Sequence, residues 1–256
     1  MSVLHSKSTI ITGASRGIGA AAARHFARRG ARVALAARSE TQIQALAQEI
    51  CDEGGTAIAV ACDVSDHHQV SKLVDRTVEE FGRLDILVNN AGLIEPVARL
   101  ADSDPLEWAR VADINYKGVY YGLRYAIPAL VKSGGGVVIN VSSGAAVSAL
   151  EGWSHYCSSK AAVLMLTACA HKEYAEQGIR TVGISPGTVA TQMQVLIRES
   201  GINPVSQLSP DAHIPAEWVA QALEYLCSDD AAEFAGTDFS LKTPEGRQRA
   251  GLPPLT

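Results

Sequence analysis

Short apolar segments alternate with amphipathic ones along the first third of the chain, and a glycine-rich turn joins the first pair. Ser8 to Thr12 predicts a strand, the turn runs from Gly13 to Gly19, and an alanine-rich helix continues to about Arg29. The alternation goes on with predicted strands at 32–37 and 57–61 and predicted helices at 41–53 and 66–81. Strands that alternate with helices at this spacing predict an α/β fold: a doubly wound parallel sheet with right-handed crossovers and helices on both faces.

The later part of the chain repeats this pattern with longer segments. Strands are predicted at 86–88, 136–141, 180–185 and 236–241, and helical segments at 105–131, 154–176 and 215–228. The chain has 256 residues, of which 47% are hydrophobic, and this is ample for a sizeable core. We therefore expect residues 1–256 to form one domain.

Composition and charge exclude several classes of protein. The net charge of -5 comes without a long charged run, which argues against a nucleic-acid partner. No apolar run approaches the length of a membrane span, and residues 1–7 lack the apolar stretch of a secretory signal. The five cysteines are scattered without the CxxC spacing of a metal site, so we expect reduced thiols in the cytoplasm and no bound metal.

The glycine turn is suited to holding a phosphate. Glycines let the backbone approach a ligand closely, and the N-terminus of the following helix offers free N–H groups and positive potential. The spacing Gly-x3-Gly-x-Gly differs from the commoner Gly-x-Gly-x2-Gly of dinucleotide sites, so the neighbouring elements have to support the assignment. The candidate cofactor-binding residues in this turn are Gly13, Ser15, Arg16, Gly17, Ile18 and Gly19.

The end of the second predicted strand indicates which dinucleotide the turn would hold. In NAD-binding folds an acidic residue there bonds the ribose 2′-hydroxyl, whereas this chain has Arg38 and Ser39. Arg38 can make charge-assisted hydrogen bonds to a 2′-phosphate, and Arg16 lies close enough in the predicted fold to add a second cation. The sequence therefore favours NADP(H), with Arg38 and Ser39 among the cofactor contacts.

Tyr156 and Lys160 carry the expected proton chemistry. Four residues make slightly more than one helical turn, so the phenol and the ammonium fall on one face of the helix predicted from Ser154. A free tyrosine ionises near pH 10, and a cation about 4 Å away at an effective dielectric of about 20 would lower that pKa by about three units. We therefore expect Lys160 to make Tyr156 acidic enough to exchange a proton near neutral pH. Alone, the spacing also fits a packed ring beside a solvated amine.

Two further strand ends place small and polar residues where a cofactor would lie. Asp63 and Val64 follow the third strand, at the expected adenine edge, and Asn90, Ala91 and Gly92 follow the fourth. Ala91 and Gly92 leave room for a ligand, while the amide of Asn90 would fix either the loop or the ribose. Ligands of doubly wound sheets bind beyond the carboxyl ends of the strands, so all five residues are candidate cofactor contacts.

Four motifs occur together in a fixed order over about residues 8 to 240: Thr12-Gly13-x3-Gly17-x-Gly19, Asn89-Asn90-Ala91-Gly92, Tyr156-x3-Lys160 and Pro186-Gly187. Together they resemble the short-chain dehydrogenase/reductase family, in particular its 3-oxoacyl-(acyl-carrier-protein) reductase-like members. The resemblance implies a Rossmann-type fold and nicotinamide-dependent chemistry on a hydroxyl or carbonyl group. It also implies a small-molecule substrate and a homo-oligomer, either a tetramer or a dimer.

The resemblance implies roles for individual residues near the proton donor. Asn115 matches the family's helix asparagine, which holds a water that connects the lysine to solvent, and Lys160 is expected to hold the nicotinamide ribose as well. Ser143 lies thirteen residues before Tyr156, as the catalytic serine of the family does, and its neighbour Ser142 is expected to be structural. The candidate catalytic residues are therefore Asn115, Ser143, Tyr156 and Lys160.

The segment after the sixth predicted strand resembles the family's nicotinamide loop, in which the Val189 backbone would hold the carboxamide and Thr191 would touch the pyrophosphate. The candidate contacts in this loop are Pro186, Gly187, Val189 and Thr191. Residues 192–215 show little periodicity and are expected to form a mobile loop over the substrate. The tail 242–256 departs from the glycine-rich end of the family and would either pack on a neighbouring subunit or fray.

The sequence thus predicts reversible, NADPH-dependent reduction of a carbonyl to a secondary alcohol, with Tyr156 as proton donor and acceptor. An apolar pocket favours apolar or aromatic ketones over acyl thioesters, and these over sugars or polyols. Its expected borders are Ala145, Ala146, Val147, Leu150, Trp153, Val189, Met193, Leu196 and Ile197.

Two other classes of function fit the sequence less well. A catalytically silent, dinucleotide-sensing regulator would keep the glycine turn but would have no need of the four catalytic residues. An epimerase or dehydratase of the extended family would want a larger carboxyl-terminal domain than the residues after Pro186 can form.

Overall fold

The computed structural model describes residues 2–254, and within them seven parallel strands form one sheet. The strands are β1 (Ser8–Thr12), β2 (Arg32–Ala37), β3 (Thr56–Ala61), β4 (Ile86–Asn89), β5 (Gly136–Val141), β6 (Ile179–Ser185) and β7 (Asp238–Ser240). Their order across the sheet is β3-β2-β1-β4-β5-β6-β7. The winding reverses between β1 and β4, so the ligand crevice of such a sheet lies at the carboxyl ends of these strands.

Helices cover both faces of the sheet. They are α1 (Gly17–Arg28), α2 (Glu40–Asp52), α3 (His67–Phe81), α4 (Pro105–Ala112), α5 (Gly118–Lys132), α6 (Ser154–Tyr174), α7 (Gln192–Ser200), α8 (Ala216–Cys227) and α9 (Pro244–Arg249). Ile10 and Ile11 of β1 are both fully buried, and each belongs to a different apolar core. The core that contains Ile10 packs against α3, α5 and α6, and the core that contains Ile11 packs against α1, α2 and α8. Successive side chains of a strand point to opposite faces, so an apolar strand needs a helical layer on each side.

The predicted fold class is confirmed, and most predicted boundaries lie within two residues of the observed ones. The amphipathic stretch predicted at 105–131 is interrupted by a π-helical turn, Asp113–Lys117, between α4 and α5. The loop predicted at 192–215 is wrong for its first part, which forms α7. The inner face of α7 carries the apolar side chains of Met193, Leu196 and Ile197. Their helical spacing is the sequence pattern that could have predicted this helix.

The carboxyl-terminal tail packs on its own chain as far as residue 254. α9 lies against α8, where the Arg247 guanidinium sits 5.3 Å from the centre of the Trp218 ring and Gln221 Nε2 donates a 2.9 Å hydrogen bond to the Ala250 carbonyl. Leu252 is buried as well. The described part of the tail is therefore not frayed. No helix within residues 2–254 combines the length and apolarity that crossing a bilayer requires.

A buried chain of polar side chains ties two strands to α6. Asn89 Nδ2 donates to Asn140 Oδ1 at 2.9 Å, and Asn140 Nδ2 donates to Thr167 Oγ1 of α6 at 2.9 Å. The Thr167 hydroxyl completes the chain by donating to the Val163 carbonyl at 2.9 Å. Buried polar groups are costly unless they are bonded, so this chain fixes the position of α6 over β4 and β5.

Gly122 of α5 leaves the space that Asn89 occupies, and we expect Gly122→Ala to destabilise the fold. An added Cβ would collide with Asn89 Oδ1, which cannot move without breaking its bond to Asn140. We expect a loss of about 1 to 3 kcal/mol in the free energy of unfolding, measured in urea. Gly144→Ala is the control, because its Cβ would meet nothing within 4 Å. Equal stability of the two variants would contradict this account.

Candidate active site

The carboxyl ends of β4 and β5 bring the four candidate catalytic residues together. Lys160 Nζ donates a 2.7 Å hydrogen bond to the carbonyl of Val141, the last residue of β5. Ser143 follows two residues later, and its hydroxyl lies against the phenol of Tyr156. Asn115 bonds the backbone of the loop that follows β4. The sheet and α6 therefore converge on one point.

Tyr156 and Lys160 lie on one face of α6 and are both buried. Their exposed fractions are 8% and 5%, and Lys160 Nζ lies 5.5 Å from the centre of the Tyr156 ring. Gly152, with φ of 78°, turns the chain into the helix two residues before Ser154. The spacing of four residues thus places phenol and ammonium side by side, as predicted.

Burial dominates the electrostatics of this pair. It raises the pKa of Tyr156 to about 12, although the Ser143 hydroxyl offsets part of the rise. It also lowers the pKa of Lys160 to about 8, because a charged amine is poorly solvated there. The expected net lowering of the Tyr156 pKa is therefore wrong for the chain by itself, because burial outweighs the nearby cation. At neutral pH the phenol keeps its proton, so Tyr156 stands in the form that donates one.

The two serines after β5 face different partners. Ser143 Oγ accepts a 3.2 Å hydrogen bond from the Ala145 amide, which leaves the hydroxyl proton free to point at a ligand. Ser142 is buried, its amide donates to the Ile184 carbonyl at 2.8 Å, and its hydroxyl lies beside Asp238. Ser143 is therefore the serine that lies next to Tyr156.

Asn115 sits in the π-helical turn and is fully buried. Its Oδ1 accepts from the Leu93 amide and its Nδ2 donates to the Leu93 carbonyl, both at 2.8 Å, with Ser159 Oγ a further 3.4 Å contact. Both ends of the side-chain amide are thus engaged in holding the loop after β4. Its expected support of a water stays a prediction.

The glycine turn fits a pyrophosphate. Gly13 and Gly17 have φ of 64° and 56°, which a residue with a side chain rarely adopts, and a Cβ on Gly19 would collide with the Gly13 carbonyl. α1 begins at Gly17 with neither a side-chain cap nor an acidic residue in its first turn. The N–H groups of its first turn are therefore free to bind an anionic ligand, which the positive potential at the N-terminus of the helix also favours.

Arg16 and Arg38 flank this turn with exposed guanidinium groups. Within residues 2–254 neither forms an ion pair or donates a side-chain hydrogen bond, unlike Arg24 of α1, which is bidentate to Glu49 at 2.6 and 2.8 Å. Ser39 lies beside Arg38 at the start of α2. Both cations are thus available to an anionic group at the end of β2.

The loops after β3 and β4 are held by their own polar side chains. Asn90 Nδ2 donates to the Thr12 and Gly13 carbonyls at 2.9 and 3.2 Å, so its amide fixes the loop to the glycine turn. Asp63 Oδ1 accepts from the Ser65 amide and hydroxyl at 3.0 and 2.7 Å. Of the two roles considered for Asn90, the structure shows the one that fixes the loop.

The loop after β6 closes against the glycine turn. Gly187 has φ of 80°, and a Cβ on Gly17 would lie 3.1 Å from Thr191 Cγ2. Val189 is buried and forms an isolated parallel bridge with Ile214. Pro186 is buried beside them. The glycine turn and this loop, predicted separately, are therefore neighbours in the fold.

An apolar cluster surrounds the phenol of Tyr156. Its buried members are Ile94, Ala145, Trp153, Tyr156 and Ile197, and its partly buried ones are Val97, Leu150, Cys157, Met193, Leu196 and Val205. Six predicted pocket residues belong to it, whereas Val147 is 79% exposed and Val189 packs in the sheet core. Ile94, Val97 and Val205 were missed, because they come from aperiodic loops that only the fold brings here.

The chain matches the family model described as short chain dehydrogenase over residues 7–201. The chain belongs to the short-chain dehydrogenase family. The resemblance that the motifs suggested is thereby confirmed. Members of this family are oxidoreductases that act on hydroxyl or carbonyl groups with a nicotinamide dinucleotide, and the glycine turn described above fits such a cofactor.

Similar proteins support the assignment over nearly the whole chain. A 3β-hydroxysteroid dehydrogenase of Eggerthella lenta is 38% identical over 246 residues, which cover 91% of each chain. A 3-oxoacyl-(acyl-carrier-protein) reductase of Synechocystis is 34% identical, covering 94% of this chain and 97% of the relative. The crystal structure of a short-chain dehydrogenase/reductase from Mycobacterium marinum superimposes with a TM-score of 0.85 at 34% identity, covering 93% of this chain and 94% of the other.

The position of Tyr156 predicts a selective loss of catalysis in Tyr156→Phe. The variant keeps the ring that packs edge-on against Trp153, with ring centres 5.5 Å apart, and loses only the hydroxyl. We expect turnover to fall by at least about 100-fold while cofactor binding, measured by fluorescence titration, changes little. Tyr225→Phe is the control, since Tyr225 lies on α8 and outside this apolar cluster. Retained turnover in Tyr156→Phe would contradict the assigned role.

Proposed function

We propose that this short-chain dehydrogenase is an NADP(H)-dependent enzyme that interconverts a ketone and a secondary alcohol on an apolar, ring-bearing substrate. The observation that carries the proposal is the apolar cluster around Tyr156, which places a protonated phenol at the wall of an otherwise hydrophobic site. An apolar ring would bury its surface there and present one oxygen to the phenol of Tyr156.

The residues around the phenol have distinct tasks in ketone reduction. When bound, a nicotinamide would supply the hydride for the carbonyl carbon. Tyr156 donates its proton to the carbonyl oxygen, and Ser143 donates a hydrogen bond that orients the same oxygen. The Lys160 ammonium, 5.5 Å from the ring centre, stabilises the phenolate that forms when the proton leaves. In alcohol oxidation the same groups act in reverse.

The preference for NADP(H) rests on Arg38 and Arg16. Both guanidinium groups are exposed beside the end of β2, and no carboxylate stands there to hold a ribose 2′-hydroxyl. A guanidinium matches the geometry of a phosphate through paired hydrogen bonds. These features support NADP(H) over NAD.

Two of the similar proteins are named for different classes of substrate, and the apolar cluster around Tyr156 favours one of these classes. The name of the Eggerthella relative refers to a steroid, an apolar fused ring, whereas that of the Synechocystis relative refers to an acyl thioester on a carrier protein. Trp153 and Ile94 are buried in the apolar cluster with Tyr156, and Val97, Leu150 and Met193 pack against it. Flat and branched apolar walls favour a ring over a flexible acyl chain.

A substrate panel tests this proposal. We expect NADPH oxidation to be faster with alicyclic and aromatic ketones, including a 3-ketosteroid, than with an acetoacetyl thioester or a ketose, compared as kcat/KM. The physical reason is the larger apolar area that a ring buries, worth about 25 cal/mol per Å². A higher kcat/KM with the thioester than with the ring-bearing ketones would show that the substrate is an acyl thioester. If no compound supports NADPH oxidation, a dinucleotide-sensing regulator would be favoured.

Arg38→Asp should shift the cofactor preference toward NADH. The substitution removes a cation and adds a carboxylate where a 2′-hydroxyl would be bound, so the ratio of kcat/KM for NADPH and NADH should fall by at least about 10- to 100-fold. Arg110→Asp, on the exposed side of α4, makes the same charge change elsewhere and should leave the ratio unchanged. An unaltered ratio in Arg38→Asp would defeat the assignment to NADP(H).

We also propose that a second copy of the chain covers the outer faces of α5 and α6. Apolar side chains stand exposed on these two helices, with Tyr120 at 47% and Met165 at 64%. A groove of about 570 Å³ between the helices is lined by Leu123, Ile127 and Leu166, among others. Exposed apolar surface of this kind marks protein interfaces, which supports the expected homo-oligomer.

A further inference from the structure

Asp238 is the first residue of β7, the strand that pairs with β6, and neither the family motifs nor the predicted site residues include it. It pairs in register with Gly183 of β6, and a Cβ on Gly183 would lie 2.5 Å from Asp238 Oδ1. The missing side chain of Gly183 therefore provides the space for the carboxylate. Ser185, two residues further along β6, donates its hydroxyl to Asp238 Oδ2 at 2.5 Å.

The other carboxylate oxygen of Asp238 is Oδ1, and Ser142, which follows β5, lies near this carboxylate. Asp238 Oδ1 and Ser142 Oγ are both closed off from solvent, and neither atom has a hydrogen-bond partner within residues 2–254. The Ser142 hydroxyl is close enough to the carboxylate to stabilise its charge. Ser142 directly follows Val141, whose carbonyl accepts the bond from Lys160 Nζ. Across the sheet, Asp238 pairs with Gly183 of β6, and Gly183 pairs with Asn140 of β5. One strand therefore separates Asp238 from the strand whose last carbonyl accepts the bond from Lys160.

Lys160 needs a counter-charge. The ammonium is buried, its one hydrogen bond in the described chain goes to a neutral carbonyl, and no carboxylate lies within 4.0 Å of it there. Burial raises the pKa of Asp238, whereas the Ser185 hydroxyl and the Lys160 ammonium favour its ionised form. The charge of Asp238 in turn favours the cationic form of Lys160, whose pKa burial lowers. Tyr156 is the other titratable side chain that faces the ammonium, and it is neutral at pH 7.

We propose that Asp238 is a positioning residue for the reaction, whose carboxylate, held by Ser185, supplies the counter-charge that keeps Lys160 cationic under Tyr156. The functional meaning rests on the role proposed above for Lys160. A purely structural role, in which Asp238 only ties β7 to β6, predicts a change in stability but no change in the titration of Lys160.

Titration of Lys160 by NMR separates the two roles. In protein labelled with ¹³C at the lysine Cε, the Lys160 resonance is identified by its loss in Lys160→Arg, and its shift follows ionisation of Nζ. We expect a midpoint near pH 8 in the unaltered chain. In Asp238→Asn, which keeps the shape and removes the charge, the midpoint should fall by about half to one pH unit. Asp230→Asn, at an exposed position, removes the same charge and should leave the midpoint in place.

The same shift should appear in catalysis. Loss of the carboxylate lowers the pKa of Lys160, so the alkaline limb of ketone reduction in Asp238→Asn should move to lower pH by the same amount. The NMR titration needs no substrate, so it decides the role of Asp238 even if every ketone in the panel fails. A midpoint that stays or rises in Asp238→Asn would overturn the proposal.

Ser185→Ala provides a second route should Asp238→Asn fold poorly. The variant keeps the Asp238 carboxylate but removes the Ser185 hydroxyl that donates to it, so the negative charge of Asp238 is less stabilised. The titration midpoint of Lys160 should therefore fall, by less than in Asp238→Asn. An unchanged midpoint in a folded Ser185→Ala would count against the proposal in the same way.

Discussion

The burial of one ammonium beneath one phenol is the constraint on which the rest of the site depends. Taking a charged amine out of water is costly, so Lys160 has to find compensation inside the fold. It bonds the Val141 carbonyl at the end of β5, and the carboxylate of Asp238 on β7 favours its charge. The same burial keeps the proton on Tyr156. A single environment therefore prepares both a proton donor and the cation that stabilises the resulting phenolate.

The parallel sheet explains how residues from distant parts of the chain meet. All strands end on one edge, so the loops after β1, β4, β5 and β6 lie side by side although they are far apart in sequence. The buried chain from Asn89 through Asn140 to Thr167 holds α6 against this edge. Asn90 then bonds the glycine turn, which joins the cofactor side of the site to its catalytic side.

Much of this could be predicted from local patterns, and the remainder depends on tertiary environment. The alternation of strands and helices gave the sheet, and a spacing of four residues placed Tyr156 and Lys160 on one face. The direction of the pKa shift of Tyr156 was missed because burial, which no local pattern reveals, outweighs the nearby cation. Asp238 was missed for a related reason, since only the pairing of β7 with β6 brings it toward Lys160.

Whether Tyr156 holds its proton at neutral and alkaline pH can be measured by NMR. In protein labelled with ¹³C at the tyrosine Cζ, the Tyr156 resonance is the one absent from Tyr156→Phe, and its shift reports ionisation of the phenol. If burial controls this group, the resonance should remain in its protonated position up to about pH 10.5, because its pKa is raised to about 12. A midpoint at or below about pH 9 would show that the cation prevails over burial and would contradict this account.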